Sequence, residues 1–542
     1  MKRLALFTCL AVSLPALAKP PRLTVMISVD SLGTDVVQRS RPRFKAGLLR
    51  LNNEGAVFPV MKYDVAESVT AAGHATLATG AWPSRHGVVG NKLFNRASGK
   101  LEPVFVDPAH PVLEAPLGHD DVSPLNLLAD TLSDRLRSAT MLRGKSLAIS
   151  GKPRSAIAMA GRLGEAWWFH EQVGRFVTGT WYRKEFPAWV KAFNDRKLAD
   201  AAHGKKWELL LPVKEYLGED QRPFESDWYG LGVTFPHPLN GGGPAPGPQS
   251  YSALASSPMM YDVLVPFVKA AIDGEQLGKD DVPDLLSISL SPLDRTYHLY
   301  GPTSWEMQDH LLRLDKAVGE IISYAERVAG GKGNLVVVLS ADHGGANIAE
   351  EWASLGLDAA RESPVALSRG LNEELEKRFG VANAVAAIEE VDVYLDAKAL
   401  EGKLEGKKVD GAAVRRAAAA WLARQPGLYT SVAKDDLFSG NGNTVLRALR
   451  NGYHPERSGD VLMVMKPFHV LEAEPRGTSH GTPWSYDAHV PLYLFGRGVK
   501  PGQYATVPLA IDVAPTVAAL MELDSPAMSE GKPTAEALLL PR

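Results

Sequence analysis

The sequence predicts an α/β fold, a central and mostly parallel β-sheet flanked by helices, with large insertions. Three observations predict it. Apolar runs of strand length recur, and three of them are followed within a few residues by an aspartate. A long helical pattern separates two of these runs, and strand, helix, strand implies a parallel crossover. The chain has 542 residues and 45% hydrophobic content, ample for one large core with elaborations.

Residues 1–18 open with Met1-Lys2-Arg3, continue through an apolar run and end in Pro15-Ala16-Leu17-Ala18. A charged start, an apolar stretch and a small-x-small ending read as a secretory signal cleaved after Ala18. The run falls short of the roughly 20 apolar residues that a membrane span needs. The expected product is residues 19–542, periplasmic or secreted, with no membrane attachment after cleavage. Cys9 is the only cysteine and lies inside the signal, so residues 19–542 contain no thiol and form no disulfide. Loss of Lys2 and Arg3 leaves 57 basic against 62 acidic residues. With no block of like charge, nucleic acid is not expected as a bulk partner. A monomer or a dimer is expected, with small phosphate esters as the molecules bound.

Residues 22–29, RLTVMISV, read as a buried first strand that delivers Asp30 to its carboxyl end; a helix cap is the alternative role for that carboxylate. In residues 67–91, ESVTAAGHATLATGAWPSRHGVVGN, Thr70 opens an apolar stretch that Gly80 stops. Thr70 is thus either an ordinary N-cap or a hydroxyl at a helix N-terminus, where amides and dipole favour an anion. Residues 146–150 read as another strand, and Lys152 and Arg154 emerge where it ends.

Residues 160–280 read as an inserted cap over the site. They hold six of the eleven tryptophans and the segment GGGPAPG, which lacks the ending of a phosphate-binding loop and any following helix pattern. Residues 285–290 form a strand before Asp294-Arg295-Thr296-Tyr297-His298, whose acid and imidazole share one face if the segment is helical. Residues 303–328 form a long helix started by a Thr303/Glu306 capping box. Residues 334–340 form a strand leading directly into Asp342-His343-Gly344-Gly345. Residues 350–476 read as a second insertion with an alanine-rich helix near 412–423. His480 then lies in a glycine-flanked loop before a strand at 490–495.

Taken together, Thr70-x-x-Gly73-His74, Thr79-Gly80, His86-Gly87-x-x-Gly90-Asn91 and the ordered acids and histidines resemble the alkaline phosphatase superfamily. The likeness is to its threonine-nucleophile branch, which holds nucleotide pyrophosphatase/phosphodiesterases and PafA-type periplasmic alkaline phosphatases. It covers nearly all of residues 19–542. It implies an alkaline-phosphatase-like sandwich and two Zn²⁺ per chain, one on Asp294, His298 and His480, the other on Asp30, Asp342, His343 and the Thr70 oxygen. It further implies that Thr70 is the nucleophile and that Asn91, Lys152 and Arg154 bind phosphoryl oxygens. His74 and His86 belong to the same motif as structural residues, and His489 has no assigned role. The Lys-x-Arg pair marks the monoesterases of the branch, because a monoester dianion carries one more charge than a diester. The implied activity is broad-specificity hydrolysis of phosphate monoesters through phosphothreonine; phosphodiester or nucleotide pyrophosphate hydrolysis on the same core is the alternative.

Overall fold

Every residue of β1 (Leu23–Val29) is buried, and this strand lies in the middle of a nine-stranded sheet. The computed structural model describes residues 19–539 except 117–120, 402, 405, 406 and 441. The segment read as a signal, 1–18, lies outside the described residues. The other strands of this sheet are β2 (Ala56–Lys62), β3 (Ser146–Ser150), β4 (Glu165–His170), β5 (Arg175–Val177), β6 (Asp284–Leu290), β7 (Leu335–Ser340), β8 (His489–Gly496) and β9 (Gly502–Gln503). Their spatial order is β9-β2-β8-β7-β1-β6-β3-β4-β5.

Strands β7, β1, β6, β3 and β4 are parallel neighbours. Val29 pairs with Leu290 and Ser28 with Ser340, so their carboxyl ends form one edge, where ligands gather in an open α/β sheet. Strand β8 runs antiparallel to β7. Its beginning therefore reaches the same edge, which brings in the loop that carries His480.

Four helices complete the frame: α1 (Thr70–Thr79), α2 (Pro153–Ala160), α3 (Pro292–Tyr300) and α4 (Trp305–Ala329). The apolar positions Met307, Leu311, Leu314, Val318, Ile321 and Ala325 of α4 are buried, as its periodicity predicts. Its cap differs from the expected one. Ser304 Oγ accepts from the Met307 N–H at 3.1 Å, while Thr303 Oγ1 is taken up by Arg222 at 2.7 Å and Glu306 by His237 at 3.0 Å.

The stretch 160–280 does not all lie outside the sheet, since β4 and β5 belong to it and bury Trp167 and Trp168 completely. Residues 241–247 form a loop, but a helix (Pro248–Ala255) does follow, with Pro at its first position. Within 350–476 the strands Val385–Glu389, Asp392–Leu395, Val461–Met465 and Leu428–Ala433 form an antiparallel sheet in that order. The helices Pro364–Phe379 and Gly411–Leu422 cover it around a separate apolar cluster that includes Leu371, Val393, Val414, Leu422 and Val461. Among the described residues no helix is long and apolar enough to cross a membrane.

Candidate active site

Three aspartates reach the sheet edge from three adjacent parallel strands. Asp30 follows β1 directly, Asp342 lies two residues beyond the end of β7, and Asp294 stands on the first turn of α3, which starts just after β6. All three are buried. His298 stands one turn beyond Asp294 on α3, with Nε2 3.4 Å from Asp294 Oδ1, and His480 Nε2 reaches the same oxygen at 3.6 Å. His343 Nε2 lies 3.4 Å from Asp30 Oδ1 and 3.3 Å from Asp342 Oδ2. The His343 and His480 rings stack at 3.7 Å between centroids.

The three imidazoles share one orientation rule. His298 Nδ1 bonds Thr478 O, His343 Nδ1 bonds Gly344 O and His480 Nδ1 bonds Ser68 O, each at 2.8 Å. A carbonyl only accepts, so each Nδ1 carries the proton, and each Nε2 faces the acids, where it would give its lone pair to a bound cation or, protonated without one, can donate a hydrogen bond to a carboxylate. Asp30 Oδ1 and Asp342 Oδ2 are buried and make no hydrogen bond. Asp30, Asp342 and His343 form one group of ligand atoms within 4.8 Å of one another, and Asp294, His343 and His480 form a second. An all-nitrogen-and-oxygen donor set of this kind fits divalent ions such as Zn²⁺. His343 belongs to both groups, whereas the resemblance gave it to one, and His298 joins through Asp294.

Electrostatics in the cluster are strong. Burial lowers the His343 pKa, but Asp342, Asp30 and Asp294 outweigh it and raise the imidazole to about 9. Burial and the neighbouring His343 hold His480 well below the usual imidazole range. Burial also pushes Asp294 upward, yet Lys152 and the three imidazoles keep it well below the usual carboxylate range.

Thr70 is the first residue of α1, and Val69, in extended conformation, is the N-cap. The Thr70 hydroxyl makes no capping bond and lies 3.5 Å from His343 Nε2. Of the two roles open to it in the sequence, the N-cap is therefore set aside. All ten residues of α1 are buried. Asn91 Oδ1 accepts from the Ala71 N–H at 3.0 Å, which orients the amide and leaves its NH₂ as the donor.

Lys152 Nζ bridges Asp30 Oδ2, at 2.6 Å, and Asp294 Oδ2, with only 5% of the side chain exposed. The resemblance implies that this ammonium binds phosphoryl oxygens; here it lies between the two ligand groups, paired with the buried carboxylates of both. Arg154 stands on the first turn of α2, its Nε buried without a hydrogen-bond partner. His86 Nε2 bonds Thr76 Oγ1 at 3.1 Å and its Nδ1 accepts from the Val88 N–H at 3.1 Å, so it braces α1 against the following turn. His74 Nδ1 bonds Thr70 O at 2.8 Å and lies 3.1 Å from Asp342 Oδ2.

One contributor escapes sequence reading. Ser31, in the left-handed region at φ 63°, donates its Oγ–H to Asp294 Oδ1 at 2.5 Å and its N–H to Asp342 Oδ1 at 3.3 Å. A non-glycine residue at positive φ beside the acids is strain of the kind that clusters at functional sites. Its only signal in the sequence is that it directly follows Asp30.

Against known proteins, residues 24–487 match the family model for type I phosphodiesterase / nucleotide pyrophosphatase. The chain is 31% identical over 537 residues to alkaline phosphatase PafA of Elizabethkingia meningoseptica, covering 96% of this chain and 94% of that protein. It is 30% identical over 531 residues to alkaline phosphatase PhoV of Synechococcus elongatus, covering 96% and 93% respectively. The crystal structure of wild-type PafA superposes with a TM-score of 0.88 at 30% identity, over 96% of this chain and 99% of that one. A solved PafA variant, substituted at one threonine, one asparagine, one lysine and one arginine, matches with the same TM-score at 29% identity. Murine ectonucleotide pyrophosphatase / phosphodiesterase 5 shares the fold alone, with a TM-score of 0.52 at 13% identity.

Proposed function

The chain belongs to the type I phosphodiesterase / nucleotide pyrophosphatase family, and within it we propose an alkaline phosphatase that hydrolyses phosphate monoesters through phosphothreonine at Thr70. The observation that carries this reading is the buried Lys152 ammonium set among Asp30 and Asp294, with Arg154 on the next turn. Full-length likeness to proteins named alkaline phosphatases supports it. The substituted residue types of the PafA variant are those of Thr70, Asn91, Lys152 and Arg154.

Two Zn²⁺ ions are proposed, held by Asp30, Asp342 and His343 and by Asp294, His298 and His480. Bound there, they supply positive charge beside the Thr70 hydroxyl and the leaving oxygen. Cations held there would compensate Asp30 and Asp294 and would leave the Lys152 ammonium available to phosphoryl oxygens. Thr70 Oγ1 gives up its proton and attacks phosphorus in line, a P–O bond to Thr70 forms, the bond to the leaving oxygen breaks, and that oxygen departs as the alcohol with a proton taken up through solvent. Asn91 donates to a phosphoryl oxygen, and Lys152 and Arg154 balance the extra charge of the monoester dianion. Water then cleaves the phosphothreonine, releasing phosphate and restoring the hydroxyl. The apolar segment within residues 1–18 supports export to the periplasm or medium.

The description of the family model favours a second reading, hydrolysis of phosphodiesters or nucleotide pyrophosphates on the same core. Lys152→Ala separates the two. The first expects a loss of about 10–100-fold on monoesters, from one charge-assisted contact, with diesters much less affected. An equal and small loss on both contradicts it.

A further inference from the structure

The proposed ligand set Asp294, His298 and His480 has one open side. His298 is 23% exposed at its side chain, against 6% for His480 and 3% for Asp294. The chain segment 224–232 is fastened around that side. Ser226 N–H donates to Leu299 O at 2.9 Å and the Tyr300 hydroxyl to Gly232 O at 2.8 Å. On the loop that leads to His480, Gly477 N–H donates to Phe224 O at 2.7 Å and Thr478 N–H to His298 O at 2.9 Å.

At the tip of this segment, Trp228 and Tyr229 form one wall of a cavity of about 240 Å³, with Gln249 and Ser252 opposite. Trp228 is 42% exposed, whereas Trp167, Trp168 and Trp207 in the same stretch of sequence are fully buried. The cavity wall is tied to the reaction centre by a short relay. Ser252 Oγ donates to Glu171 Oε2, and Glu171 pairs with Arg295, whose guanidinium lies 5.6 Å from the centre of the Tyr229 ring. Arg295 directly follows Asp294 on α3. None of the described residues lining the cavity is charged, and Glu171 and Arg295 behind it pair with each other, so Trp228 and Tyr229 present uncharged aromatic surface.

From this arrangement we propose that the Trp228–Tyr229 cavity is the leaving-group subsite and that it selects esters whose leaving alcohol carries a planar, uncharged aromatic group. The inference rests on the phosphomonoesterase reading. In-line attack would send the leaving oxygen to the side of phosphorus opposite Thr70, and His298, the most exposed of the proposed ligands, lies beside the backbone to which this segment is clipped. An aromatic ring there gains contact with Trp228 that an alkyl group does not provide. Arg295 and Glu171 are positioning residues; Trp228 is the specificity residue.

The test compares benzyl phosphate with ethyl phosphate, whose leaving alcohols are of similar acidity, so that the ratio of their kcat/KM values reports binding rather than bond-breaking. In Trp228→Ala the ratio should fall about tenfold through a higher KM for benzyl phosphate, with ethyl phosphate within twofold of wild type. Trp228→Phe should recover most of the ratio. An unchanged ratio, whether both substrates lose equally or neither does, overturns the subsite. Wild-type turnover of ethyl phosphate tests the underlying reading separately. Calorimetric binding of benzylphosphonate and ethylphosphonate to the zinc-loaded wild type and Trp228→Ala reads the subsite even if turnover is absent. Equal affinity of the two ligands for the wild type then overturns it.

Discussion

Thr70 stands at the amino end of a helix with no exposed face, and its hydroxyl is not spent on capping because Val69 occupies the cap position. A hydroxyl so placed has the positive end of the helix dipole on one side, which favours a developing negative charge, and on the other the acid–imidazole cluster, which would do so once it holds cations. Thr70→Ala is expected to lower monoester turnover by about 10³-fold or more, measured at saturating substrate with metal content checked. Wild-type turnover in that variant contradicts the assignment. Ser31 holds two of the acids through its side chain and main chain, as an outer-shell partner does. Ser31→Ala should weaken metal retention by about 10–100-fold, read by titration with a competing chelator. The clustering of the acids was legible only from the whole ordered set, because a lone carboxylate at the end of a buried apolar run can equally cap the turn that follows. Ser31 was not, because a left-handed backbone there is imposed by neighbouring strands and leaves no mark on residue type.

At the level of elements, the glycines of the motifs mark where backbones meet. A methyl group on Gly73 would lie 2.3 Å from Asp342 O and 2.8 Å from its Cβ, so α1 can approach the end of β7 only without a side chain there. On Gly344 it would lie 2.2 Å from Tyr486 O. Gly73→Ala should therefore destabilise the protein by about 1–3 kcal/mol and separate Thr70 from the acids, lowering both the urea midpoint and bound metal. A fully active, fully metallated Gly73→Ala variant contradicts this account of the motif. Strands β1, β6 and β7 were readable because burial on both faces leaves an unbroken apolar run. The edge of the first insertion was not. The Trp-rich run of β4 suits a separate cap as well as a sheet, and only its pairing with β3 places it. His480 reaches the site because β8 is antiparallel, a relation that local sequence does not carry.

For the whole molecule, residues 19–539 contain no cysteine, so stability rests on two apolar clusters, on smaller satellites and on what the acids bind. Ligand binding to the folded state alone stabilises it by mass action, and chelation is expected to lower the melting temperature together with turnover. Asp392, in the four-stranded sheet, gives a pH dependence. Burial raises its carboxyl to about 7 although the Gly459 N–H and the Tyr394 hydroxyl donate to it at 2.7 and 3.2 Å. The folded chain thus binds this proton more tightly than the unfolded chain, whose aspartate titrates near 3.9. Its contribution to stability falls as pH rises from about 4 to about 7 and is level above that. Asp392→Asn should flatten the fall in urea midpoint between pH 5 and pH 7.5, and an unchanged slope contradicts the assignment.

The central claim is a monoesterase on a two-cation centre. It is tested most directly by turnover of p-nitrophenyl phosphate against bis-p-nitrophenyl phosphate, with metal content recorded before chelation, after it and after return of zinc. A strong monoester preference that disappears on chelation and returns with two zinc ions per chain is expected. A diester preference, or turnover independent of metal, would contradict it.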